Sequence, residues 1–129
     1  MKERYAVRIE SAKELDKLRE VAKLFEGEHD FKAFCASGSS VKTTVRTVYS
    51  LRVEESFEYG VRVLDMFVTG NGFLYNMVRT MAGELVDLAL GRRTVESLRE
   101  AFVTGDRSLV GKTMAAKGLT MISVDYDGQ

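Results

Sequence analysis

The chain has 129 residues, with 19 Lys+Arg against 19 Asp+Glu, one His, one Cys and 45% hydrophobic residues. That is the make-up of a single globular domain and not of a disordered tail. One Cys and one His exclude a disulfide framework and a Cys/His zinc site, so no metal is expected.

Residues 1–10 read as a short strand or a loose leader ahead of a domain spanning 11–129. Ser11-Ala12-Lys13-Glu14 has the form of a capping box, in which the Ser oxygen takes an amide of the first turn and Glu14 reaches back. Leu15, Leu18, Val21, Ala22 and Phe25 then recur at helical spacing, with Gly27 as the expected helix end. His29 to Ala36 predicts a short turn or helix that sets Phe31 and Phe34 in the core. Ala36 to Thr44, rich in Ser, Gly and Thr, predicts an exposed loop.

Val45 to Val53 alternates as a strand, with Val45, Thr47, Tyr49, Leu51 and Val53 on one side and Arg46, Val48, Ser50 and Arg52 on the other. Glu54 to Gly60 is expected to turn the chain, and Val61 to Thr69 to return antiparallel. Asn71 is the expected cap of a helix whose buried stripe is Leu74, Met77, Val78, Met81, Leu85 and Leu88, ended by Gly91. A shorter helix is expected over Val95 to Val103, stopped by Gly105, and a last strand over Leu119 to Tyr126. The predicted class is α+β: an antiparallel sheet with helices packed on one face.

The stretch from Phe73 to Leu90 is the most apolar, but it carries Asn76, Arg79, Glu84 and Asp87, too many polar groups for a bilayer span. The start, Met1-Lys2-Glu3-Arg4, has the alternating charge of a mature chain and not the apolar core of a secretory signal. A cytoplasmic protein without a membrane partner is therefore expected.

Charge is unevenly spread. Phe31 to Val53 holds Lys32, Lys42, Arg46 and Arg52 without an acid, Arg107 to Val124 holds Arg107, Lys112 and Lys117 without an acid, and Met66 to Gly83 holds only Arg79. If these windows meet in the fold they form the footprint of a polyanion partner; the alternative is ordinary solvated surface. Gly70-Asn71-Gly72 between strand and helix resembles the opening of a dinucleotide fingerprint, but Tyr75 stands at the third glycine position and the closing acid is missing. A turn explains it as well. Arg79 is the informative residue. Its helical neighbours Tyr75, Asn76, Ala82 and Gly83 include no acid, and Gly72, Asn76, Arg79 and Gly83 are expected on one small, polar helix face. Such an Arg snorkels to solvent, meets an acid from elsewhere or holds a phosphate.

Gly70-Asn71-Gly72-Phe73-Leu74-Tyr75-Asn76-Met77-Val78-Arg79, with Gly83 a turn later, resembles the signature of the tRNA pseudouridine synthase A (TruA) family. Gly27-Glu28-His29-Asp30-Phe31 with Ala33-Phe34, then Val45-Arg46-Thr47, Ala116-Lys117-Gly118-Leu119 and Val124-Asp125-Tyr126, follow in the family's order. The resemblance covers about residues 15–126 and corresponds to the C-terminal half of such an enzyme. It implies isomerisation of uridine to pseudouridine in the tRNA anticodon stem–loop, without metal or cofactor. The family's essential Asp, in an Arg-Thr-Asp-Ala-Gly segment of the N-terminal half, has no counterpart here. The fragment alone is therefore expected to be inactive.

The resemblance further implies that Arg79 forms the ion pair with that missing Asp, and that Leu119 and Asn76 border the uracil pocket. Lys42, Arg46, Lys112 and Lys117 are the expected phosphate contacts. Implied partners are tRNA, the N-terminal half and a second copy in a homodimer. The alternative is a non-catalytic RNA-binding or dimerisation module. Met114-Ala115-Ala116 stands where many relatives have Pro ahead of the Gly-Leu pair.

Overall fold

A computed structural model describes residues 2–9, 15–35, 42–74, 76–110 and 119–127. Strand β1 (Lys2–Ile9), helix α1 (Leu15–Ala22), and strands β2 (Gly27–Asp30), β3 (Val45–Glu58) and β4 (Val61–Gly70) come first. Helices α2 (Met77–Ala89) and α3 (Val95–Thr104) and strand β5 (Leu119–Asp127) follow. The strands form one sheet in the order β2-β3-β4-β1-β5, and every neighbouring pair is antiparallel. The expected α+β class is what folds.

The core lies between the helices and one face of this sheet. Val48, Leu51, Val53, Leu64, Met66 and Val68 contribute from β3 and β4, while Leu18, Val21, Met77, Met81, Leu85 and Leu98 answer from the helices. The expected stripe of α2 is buried throughout, Leu74 included, although Leu74 precedes the helix proper. Full burial of side chains of this size stabilises by roughly 1.5–3 kcal/mol each. Phe31 and Phe34 are wholly buried around the short 3-10 turn Lys32–Phe34, as their spacing predicted.

Several local expectations are corrected. Of the two readings of residues 1–10, the strand and not the loose leader is what forms, over residues 2–9 between β4 and β5. Gly27 does not end α1. The helix tightens into a 3-10 turn at Lys23–Phe25, and Gly27, at φ 101, opens the unforeseen strand β2. A four-residue edge strand is too short to show a period of two, so periodicity could not reveal it.

The alternation predicted across Val45–Val53 breaks at a bulge. Val48 pairs with Gly70 and Ser50 with Thr69, leaving Tyr49 as the extra residue. The inserted residue reverses which parity faces the core, so Val48 is buried beside Leu51 and Val53 while Tyr49 is exposed. Glu54 to Glu58 is strand and not turn. The reversal takes only Tyr59-Gly60, at φ 53 and 77, the left-handed pair of a two-residue hairpin. The expected box at Ser11–Glu14 and most of the expected loop, residues 36–41, lie outside the described residues.

The later boundaries stand. Gly91, at φ 78, follows α2 and donates to Leu88 O; Thr94 caps α3 by accepting from Ser97 N; Gly105, at φ 70, donates to Ala101 O. Cys35 is buried, and His29 Nε2 donates to Glu26 O at 2.9 Å while its ring stacks on Phe102. Asp30 accepts from Lys32 N at 3.1 Å. Among the described residues, no helix is long and apolar enough to cross a membrane.

Candidate nucleic-acid interface

The Gly70–Arg79 segment joins the end of β4 to the start of α2, and its geometry rests on contacts with β3. Asn71 was expected to cap α2. Instead it is tied at two points to Thr47: its N–H donates to Thr47 O at 3.1 Å, and its Oδ1 accepts from Thr47 N at 2.9 Å. The side chain thus continues the sheet ladder for one rung past the strand. Gly70 makes this approach possible, since a Cβ there would meet Thr47 O at 2.8 Å and the Phe73 ring at 3.2 Å. Phe73 in turn packs edge-on against Tyr5 of β1, with centroids 5.0 Å apart.

Gly72, at φ 147, passes beside Arg46, whose Nε would lie 3.7 Å from an added Cβ. Arg46 Nη1 donates to Thr43 O and Val45 O, both at 2.8 Å. Its Nε and Nη2 make no hydrogen bond among the described residues. Thr43, Val45, Arg46, Asn71, Gly72 and Phe73 line an open polar pocket of about 480 Å³ here. The guanidinium is thus oriented by the backbone while Nε and Nη2 keep their donors at the pocket, a suitable arrangement for a phosphate oxygen. Lys42 is exposed shortly before β3.

Asn76 precedes α2 in the left-handed conformation, at φ 62, and its carbonyl accepts from both Thr80 N and Thr80 Oγ1. Its side chain forms no cap hydrogen bond. Gly72 and Asn76 therefore stand ahead of the helix, and the expected four-residue helix face is not formed. Arg79 is half-buried in the first turn of α2 and makes no hydrogen bond or ion pair among the described residues. At the positive end of a helix dipole, that guanidinium adds to a positive local field.

Leu119 is not brought to this place. β1 runs antiparallel to both β4 and β5, pairing Glu3 with Gly70 at one end and Ile9 with Leu119 at the other. Leu119 is therefore separated from the loop by the length of β1, about 20 Å. Lys112 and Lys117 lie outside the described residues. The all-antiparallel sheet has no parallel strand pair of the kind that places a dinucleotide at a strand–helix turn, so Gly70-Asn71-Gly72 acts as a tight connection. No group of three or more His, Cys, Asp or Glu gathers as a metal site among the described residues.

The Asn71–Thr47 tie and the Tyr5–Phe73 contact escape sequence reasoning because both join residues distant in the chain. Gly70 was the available signal: a glycine at a strand end marks close backbone approach as often as a turn.

Comparison with known proteins agrees with the motif. Residues 21–127 match the family described as tRNA pseudouridine synthase. The chain is 43% identical over 125 residues to tRNA pseudouridine synthase A of Brevibacillus brevis, covering 95% of this chain and 49% of that protein. It is 39% identical to the Bacillus velezensis protein of the same name, covering 98% and 49%, and 37% identical to that of Bacillus subtilis, again covering 98% and 49%. The chain thus spans about half the length of the curated relatives it matches.

Proposed function

The chain belongs to the tRNA pseudouridine synthase family, and on that footing we propose that it is the C-terminal half of such an enzyme, supplying one wall of a cleft that converts tRNA uridine to pseudouridine. The observation that carries this reading is Arg79. It is a half-buried cation at a helix start, unpaired among the described residues, in a chain about half as long as its relatives.

The reaction breaks the C1′–N1 bond, turns the uracil and forms a C1′–C5 bond; C5 loses its proton and N1 gains one. It is an isomerisation with no net redox change. In the proposed arrangement Arg79 holds the carboxylate of the absent half. A guanidinium paired with it keeps the carboxylate ionised, ready to act as nucleophile or base. Asn76 is assigned to the uracil pocket, which takes a base out of its stack; Leu119, about 20 Å away along β1, is not placed with it. Arg46 and Lys42, with Lys112 and Lys117, are assigned to tRNA phosphates. No cofactor is required by this chemistry. The working protein is proposed to be a cytoplasmic homodimer whose partners are tRNA and the catalytic half.

Tritium at uracil C5 is released when the new bond forms, and this provides the test. The 129-residue chain alone should release none from labelled tRNA, and adding a separately expressed N-terminal half should restore release. Turnover by the chain alone would overturn the placement of the nucleophile in the other half. Retention of tRNA without restored release would favour the reading as a non-catalytic RNA-binding module.

A further inference from the structure

The cations of this chain are held differently at the two ends of the sheet. Along the β3–β4 hairpin, Arg52 is paired with Glu54, Arg62 with Glu55, and the adjoining Arg8 of β1 with Asp65 and Glu58. Each of these arginines faces a carboxylate. At the opposite end β2 meets the start of β3 and β4 runs out at Gly70. Here Lys32, Lys42 and Arg46 form no ion pair among the described residues, and both lysines are exposed.

The fold also joins the acid-free stretches at this end. The Asn71–Thr47 tie sets residues 66–83 against residues 31–53. Arg107 Nη1 donates to Cys35 O at 3.1 Å, which fastens the third stretch to the 3-10 turn that carries Lys32. The Lys32 stem lies across the end of α3: a Cβ on Gly105 would meet its Cδ at 3.0 Å and its Cβ at 3.3 Å. A stem packed in this way holds its ammonium at the surface. The neighbouring acids lie in turns, Asp30 accepting from Lys32 N and Thr44 Oγ1 and Asp106 from Ser108 N and Oγ. Glu28 alternates with His29, whose ring stacks on Phe102, and so takes the sheet face away from α3.

We propose that the nucleic-acid track does not end at Arg46 but continues over Lys32 to Arg107, along the end of the helix layer from Gly72 to Gly105. Lys32 is the added phosphate contact, and Arg107 flanks it while holding its turn in place. A phosphate that meets an unpaired cation gains affinity by releasing bound counterions, whereas one that meets a hairpin arginine must displace a carboxylate first. The backbone therefore follows the Gly70 end and not the hairpin. This inference rests on the function proposed above in taking tRNA as the polyanion.

Filter binding of tRNA transcripts to the full 129-residue chain, from about 50 to 200 mM salt, provides the test. Lys32→Gln keeps an unbranched stem over Gly105 and removes the charge. It should lower the slope of log affinity against log salt by about one, equally for transcripts of different sequence. Lys32→Arg should restore the slope. Arg62→Gln, on the hairpin, should leave it at the wild-type value.

A wild-type slope in Lys32→Gln overturns the proposal, as does a loss that does not vary with salt, which would reduce Lys32 to packing on Gly105. Unchanged tRNA retention with weakened capture of the N-terminal half would overturn it in favour of an acidic protein surface. Absence of tRNA retention by the wild-type chain also overturns the track. Tritium release by the reconstituted enzyme then reports on the proposed function separately, since filter binding involves this chain alone.

Discussion

At the β2 edge of the sheet, Phe25, Phe31, Phe34, Phe102 and His29 form a block of rings whose centroids lie 4.2 to 6.4 Å apart. At the end of β4, the chain passes through two glycines and two asparagines before α2 begins. In the first region edge-to-face and stacked contacts satisfy almost every surface the side chains present. In the second, the backbone is satisfied through Thr47 and Thr80, while Arg46 keeps two free donors and Arg79 has no partner among the described residues. Both regions are ordered by specific contacts, but only the second leaves oriented cations for a group from outside. Rigid backbone with unspent charge is what preorganised recognition of an anion requires.

The widest test of that difference is Arg79→Ala. In enzyme reconstituted with the N-terminal half, it should lower tritium release by about a thousandfold, the scale of losing a preorganised electrostatic partner. The urea midpoint of this chain should scarcely change, and near-normal release would return Arg79 to a snorkelling surface cation. Phe34→Ala should do the reverse. It removes a wholly buried ring and should destabilise the chain by about 3–5 kcal/mol in urea titration. A loss below about 1 kcal/mol would mean the ring block is loosely packed.

Asn71→Ala separates the two kinds of order more finely. It strands Thr47 N–H and should cost about 1 kcal/mol, while weakening tRNA retention through the displaced Arg46 pocket. An unchanged filter-binding curve would detach the loop from recognition.

The smallest effect concerns acid. Ser108 donates its hydroxyl and backbone N–H to Asp106, at 2.8 and 3.0 Å, and holds that carboxyl below its ordinary range. The folded state therefore binds this proton less tightly than the unfolded chain. The resulting stability is present above about pH 4 and is lost as pH falls through the lowered value. Asp106→Asn keeps an acceptor for the turn and should flatten the acid limb of urea midpoints measured against pH; an identical limb would exclude Asp106 as a contributor.

Helices α2 and α3, the hairpin and the last strand were legible because each carries many periodic residues and clear stops such as Gly91 and Gly105. The Gly70–Arg79 motif was legible as a family signature, and Arg79 stood out by its lack of an acid at helical spacing. Strand β2, the bulge at Tyr49 and the role of Asn71 were not, because each depends on a partner strand and not on neighbours in sequence. The position of Leu119 belongs with them: residues of one motif order need not meet when β1 separates their strands.

The amino-acid sequence by itself determined the family, the α+β class and the buried stripe of α2, since periodicity and motif are local properties that survive without coordinates. Only the tertiary structure decided where the hairpin turns, which parity of β3 faces inward, how Gly70 and Asn71 lock onto Thr47, and that Arg46 joins the loop. The physical reason is that these are matters of register and close approach, set by hydrogen bonds and steric contacts between segments far apart in the chain.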